Sequence, residues 1–87
     1  MKLQAMMVVI LLSGFPVQGQ NSEAELFQNA QHLYASGKLL DAEKSFAEIT
    51  RDHPANVAAQ MYLGQTLFRE EKFAEAIAPY EKVRELR

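Results

Sequence analysis

Cysteine is missing from the 87 residues, and that absence removes several classes of protein at once. No disulfide can staple the chain and no lipid can be attached to a leader cysteine. Thiol catalysis and thiolate metal sites are excluded as well. Excess charge of one sign is also missing: nine Lys and Arg stand against eleven Asp and Glu, for a formal charge of −2. The two signs are interspersed as on a solvated helical face, so nucleic acid, which wants clustered Lys and Arg, is not an expected partner. Long apolar runs are scarce. The most apolar stretch, Ala5 to Leu12, is less than half of the roughly 20 residues that a membrane-spanning helix needs.

A catalytic constellation is absent too. His32 has no second ligand near it in sequence, and His53, before Pro54, reads as a turn residue. Glu70 and Glu71 are adjacent, and adjacent helical residues diverge by roughly 100°. They read as a solvated helix end rather than a shared acid–base site. Ser13 and Ser36 have no histidine placed to activate them. The expectation is a protein that is not an enzyme and uses neither cofactor nor metal.

What is present begins with a leader. Lys2 and the terminal amine give a positive start, the apolar stretch follows, and Ser13, Gly14 and Pro16 break it. Val17-Gln18-Gly19 places small residues where a signal peptidase reads, so residues 1–19 read as a signal peptide cleaved before Gln20. The expected location is therefore periplasmic or secreted, with the membrane met only transiently through the leader. Residues 20–22 read as a polar joint.

The remainder repeats itself. At an offset of 34, Ala24 meets Ala58, Gln31 meets Gln65, Leu33 meets Leu67, Lys38 meets Lys72 and Ala42 meets Ala76. Conservative pairs fill the gaps: Ala30 with Gly64, Tyr34 with Phe68, Leu39 with Phe73, Phe46 with Tyr80, and Ile49 with Val83. The matched positions are the small and apolar ones, spaced for helices. Two repeats follow, 23–56 and 57–87, each a helix-turn-helix unit.

Helix one is expected over about Glu23 to Ser36, opened by a Ser22-x-x-Glu25 capping box and ended by Gly37 as the left-handed residue. It carries two adjoining apolar stripes, Leu26-Ala30-Leu33 and Phe27-Gln31-Tyr34, and so needs company on two sides. Helix two, about Leu39 to Asp52, carries Leu39, Ala42, Phe46 and Ile49 on one face and offers Lys44 and Glu48 as an i,i+4 pair on the other. Asn56 caps helix three, about Val57 to Glu70. Helix four starts near Phe73 and runs on through Pro79, with Gly64 and Ala76 where helices three and four must touch and Leu63, Leu67, Phe73 and Tyr80 around them.

With its Leu63-Gly64-x-x-Leu67 and Ala76-x-x-x-Tyr80, and with Ala30-x-x-Leu33, Ala42-x-x-x-Phe46 and Pro54 in the first copy, the chain resembles the tetratricopeptide repeat family. It departs from the family pattern in lacking the tryptophan and in having Asn29 where leucine is usual. The resemblance implies an all-α fold, an α-α superhelix in which two helix-turn-helix repeats form a solenoid. It also implies that the first helix of each repeat lines a concave groove for a peptide or partner protein. The matching groove positions are Phe27, Gln31, Tyr34 and Ala35, then Met61, Gln65, Phe68 and Arg69. Phe27 and Gln31 stand where relatives that grip a C-terminal carboxylate carry Lys and Asn, so that clamp is not expected. Packing between the repeats is the competing role for Phe27, Tyr34, Met61 and Phe68.

The expected function is thus an exported, non-catalytic protein-interaction module. The alternative is the N-terminal module of a larger envelope enzyme or assembly factor truncated at residue 87. Helix four keeps apolar residues, Ile77 and Leu86 among them, on an outer face. Further repeats or self-association are therefore expected there.

Overall fold

The computed structural model describes residues 22–87. The expected leader, its cleavage point and the first two residues of the joint lie outside the described residues. Four helices follow in order: α1 (Glu23–Ala35), α2 (Leu39–Asp52), α3 (Val57–Arg69) and α4 (Phe73–Leu86). The first and third end one residue short of expectation, because Ser36 and Glu70 serve as C-caps. None of the four is long and apolar enough to cross a membrane.

The sequence repeat is reproduced hydrogen bond by hydrogen bond. Ser22 and Asn56 cap α1 and α3, their side chains accepting from the amides of Glu25 and Ala59. The Glu25 carboxylate reaches back to the Ser22 amide at 3.1 Å, closing the expected capping box. At the C-terminus of α1, the amides of Ser36, Gly37 and Lys38 donate to the carbonyls of His32, Tyr34 and Leu33. After α3, the amides of Glu70, Glu71 and Lys72 donate to Thr66, Phe68 and Leu67 in the same pattern. Gly37 takes φ 80° and Glu71 takes φ 64°, so both turns use a left-handed residue and only one supplies glycine for it.

Each helix packs on the next, and α1 also touches α3. Ala30, Ala42, Phe46, Ile49 and Ala59 form a closed core, with Leu26, Phe27, Leu33, Tyr34, Tyr62 and Leu63 packed against it. Both expected faces of α1 are therefore covered. In the second unit Leu67, Ala76 and Val83 are buried, and Gly64 lets the Tyr80 ring approach its backbone. A Cβ at Gly64 would stand 2.9 Å from two atoms of that ring. Phe73 departs from expectation: it is exposed and rests edge-on against Phe68, ring centres 5.0 Å apart, at the corner between α3 and α4. Pro79 sits inside α4, which stays one helix with Pro79 buried. The fold is all-α, two paired-helix units stacked side by side.

Candidate protein-binding face

The eight residues expected to line a groove divide into two groups. Phe27 is half-buried and meets Phe46 and Tyr62 edge-on, at 5.7 and 5.5 Å between ring centres. Tyr34 stands edge-on to Tyr62 at 5.4 Å between ring centres, and the Arg69 guanidinium lies over the Tyr34 ring at 4.8 Å. Gln31 donates from Nε2 to the Tyr62 hydroxyl at 3.2 Å. These four side chains, Arg69 included, join one repeat to the other. Among the described residues no aromatic pair or hydrogen bond ties Ala35, Met61, Gln65 or Phe68 across that join; Phe68 is 57% exposed, and Met61 and Gln65 are half-buried.

Tyr62 is the residue at the centre of the join, and sequence reasoning missed it. Its ring stacks on Phe46 at 5.1 Å and 15°, so one tyrosine meets three aromatic rings and an amide. Its counterpart in the first repeat is Gln28, which is exposed, so the repeat match gave Tyr62 no emphasis. Its aromatic character beside Met61 was the available signal.

Polar ties fix the same junction. Asn56 donates from Nδ2 to Glu23 at 2.7 Å, and His53 lies 3.5 Å from the same carboxylate, holding the start of α1 to the α2–α3 turn. Gln60, where the family tryptophan would stand, is buried and donates to the Pro54 carbonyl at 2.9 Å. Buried Thr66 donates back to the Tyr62 carbonyl at 2.7 Å.

Glu70 corrects an expectation. Its side chain is only 12% exposed, its Oε2 lies 4.0 Å from the Lys72 ammonium, and its Oε1 is buried without a partner. The reading of a solvated helix end overlooked Glu43 on α2, whose carboxylate accepts from Lys72 at 2.9 Å. Burial first, then the neighbouring Glu43 carboxyl, pushes Glu70 above the ordinary carboxylate value. The Lys72 hydrogen bond holds Glu43 below it, against the opposing effect of burial. Lys72 is raised in turn, chiefly by that bond. The Lys44–Glu48 pair also fails to form; both side chains point into solvent, where such a pair is worth little. Among the described residues no three His, Asp or Glu side chains converge as metal ligands would.

Stacked helix pairs joined by side-chain packing, with the first helices side by side, define a helical-repeat scaffold. The tetratricopeptide repeat family model matches residues 27–87, and the chain belongs to that family. Neither the curated proteins nor the solved structures gave a match to this chain.

Proposed function

We propose that the chain is an exported, non-catalytic binding module that takes an extended peptide or partner segment along the face shared by α1 and α3. Family membership supports protein binding in general terms. One observation carries the finer reading. Gln31 and Gln65 occupy matching positions on neighbouring first helices, and the Tyr62 hydroxyl that engages the Gln31 amide has no counterpart over Gln65 among the described residues. Gln65 is half-buried between Met61 and Arg69, so it presents both a donor and an acceptor beside apolar surface. That combination suits a backbone amide flanked by an apolar side chain.

Peptides selected by display against the full chain test the reading. They should bind Gln65→Ala about tenfold more weakly and bind Lys44→Ala, on the outer face of α2, as they bind the unaltered chain. Ligands indifferent to Gln65 would put the site elsewhere and overturn the groove. Export has its own test in the intact mass of the exported protein. Its mature chain should begin at Gln20, whereas a product that keeps Met1 and pellets with membranes contradicts the leader.

A further inference from the structure

The first helices of the two repeats run the same way. Asn56 at the start of α3 meets Glu23 at the start of α1, and Arg69 at the end of α3 meets Tyr34 near the end of α1. Charge is distributed unevenly along the face they share. Arg69 is the one ionisable residue in α3. The acids of α1, Glu23 and Glu25, both lie in its first turn, at the far end, and both are engaged, by Asn56 and by the Ser22 amide. Past Arg69, Glu70 is withdrawn beside Glu43 and Lys72, and Glu71 sits exposed in the turn. None of the ion pairs among the described residues includes Arg69.

Arg69 is exposed but held. Its guanidinium lies over the Tyr34 ring, which is itself fixed edge-on against Tyr62. A cation over a ring face is attracted by the ring quadrupole and uses no N–H in the contact. The planar fork of donors therefore stays available, already oriented, and loses little freedom when an anion arrives. The carbonyls of Thr66, Leu67 and Phe68 do not compete for it, since the amides of Glu70, Lys72 and Glu71 take them. A carboxylate matches such a fork with two parallel hydrogen bonds.

We infer that Arg69 anchors an acidic side chain, Asp or Glu, of the segment bound along the α1–α3 face. The inference rests on the groove reading and gives that segment its chemistry. Gln65 lies one turn before Arg69, roughly 6 Å along the helix. An extended chain covers that distance in about two residues, and residues two apart point to the same side. The carboxylate therefore belongs about two residues along from the amide that Gln65 takes. Apolar surface continues past Arg69 to the exposed Phe68–Phe73 pair at the α3–α4 corner. A segment that reaches Arg69 has room to run on, so the carboxylate is a side chain's and not a chain terminus.

Peptides selected by display against the full chain, then synthesised with amidated C-termini, test it by fluorescence anisotropy. The selected sequences should share an Asp or Glu at a fixed place beside an apolar residue. Arg69→Gln should weaken them about tenfold, and added salt should weaken binding to the unaltered chain. Arg69→Lys should recover only part of the loss, since it restores the charge without the fork. Arg69→Glu should abolish binding, and changing the peptide's acid to Arg should restore it, a rescue that a purely structural role for Arg69 would not give. Far-ultraviolet circular dichroism confirms that each variant keeps its helices. Binding that requires Gln65 but ignores Arg69 overturns this inference and leaves the groove standing. Binding indifferent to both overturns the two together. Peptides that bind only with a free terminal carboxylate overturn the assignment to a side chain.

Discussion

The two repeats share one backbone plan and differ in how far their second helix is enclosed. In the first unit, α2 is held between α1 and α3, and Phe46 and Ile49 are 0% and 1% exposed. In the second, α4 has α3 on one side only, and Tyr80 keeps a third of its surface. The sequence differences between the units follow this asymmetry. Phenylalanine stands where the ring is enclosed, and tyrosine stands where its hydroxyl can reach water. Burial raises the Tyr80 hydroxyl above the ordinary value, with the nearby Tyr34 adding to it, so even this ring is partly withdrawn from solvent. Enclosure in a stacked-repeat protein comes from the neighbouring unit, so equivalent residues in matching helices carry unequal energies.

The largest expected effect follows from that inequality. Phe46→Ala empties a site enclosed on all sides and should cost about 3–5 kcal/mol, the range for large-to-small changes at buried aromatics. Tyr80→Ala, at the matching position, should cost only about 1–2 kcal/mol, because a part-exposed ring loses less and the site can relax. Urea unfolding at a concentration where the chain is monomeric measures both. Equal losses would show that α4 is as enclosed as α2.

A second contrast lies where the paired helices cross. Ala30 and Gly64 match: Gly64 faces the Tyr80 ring in the second helix of its unit, and Ala30 is buried in one cluster with Phe46 of its own. Ala30→Gly should cost about 2 kcal/mol, joining the helix penalty of glycine to the loss of a buried methyl. Gly64→Ala gains the same helical preference but drives a methyl into the Tyr80 ring. Overpacking costs about 1–3 kcal/mol, so a net loss near 1 kcal/mol is expected. In a Tyr80→Ala background the ring is gone and Gly64→Ala should stabilise by about 1 kcal/mol. Thermal melts of the four chains form the cycle, and additivity would mean that the ring and the glycine do not meet.

Third is the carboxylate pair between the units. Glu70 has a raised folded-state pKa, so the folded chain holds that proton more tightly than the unfolded chain does. Its contribution is present below the ordinary carboxylate value and is lost as pH rises through the raised one. Glu43 is lowered and runs the other way: its contribution is present above the ordinary value and is lost as pH falls through the lowered one. Stability should therefore rise as pH drops from neutrality through the Glu70 titration, then fall once Glu43 protonates. Glu70→Gln removes the buried charge and supplies a donor toward Glu43. It should add about 1 kcal/mol at about pH 7, and less as pH falls through the Glu70 titration. Melting temperatures from neutrality down through that titration decide it; a variant less stable throughout would show that Glu70 serves as a carboxylate.

How much of this could be read from the chain depends on whether a residue's partner lies one repeat away. The helices, their caps, the left-handed Gly37 and the buried Ala42, Phe46 and Ala76 all follow from periodicity and from matching positions, and the structure reproduces them. Tyr62 was not legible, because its importance comes from three rings that converge on it from α1 and α2, while its own counterpart Gln28 faces solvent. Glu70 was misread for a related reason: its environment is set by Glu43, a residue on another helix at a position with no repeat match to Glu70. Lys44 and Glu48 have the right spacing but no packing to hold two long side chains together, and spacing alone does not overcome their entropy.

The smallest effect tests the turn that both units share. Gly37 at φ 80° has nothing within 4 Å of where a Cβ would sit, so Gly37→Ala meets no neighbour and its cost is that of the backbone alone. A left-handed non-glycine residue costs roughly 1–2 kcal/mol, and alanine recovers roughly 0.4–1 kcal/mol by restricting the unfolded chain, leaving a net loss of about 1 kcal/mol. Glu71, at φ 64° in the matching turn, already bears that penalty. Glu71→Gly should therefore run the substitution backwards, relieving the backbone and loosening the unfolded state, for a gain of a few tenths to about 1 kcal/mol. The two effects should have opposite signs and similar size, since the turns make the same three hydrogen bonds. Chemical denaturation of both variants beside the unaltered chain resolves them. A loss of stability in Glu71→Gly would mean that the glutamate side chain contributes more than its backbone strain costs, and the two turns would then be alike in geometry only.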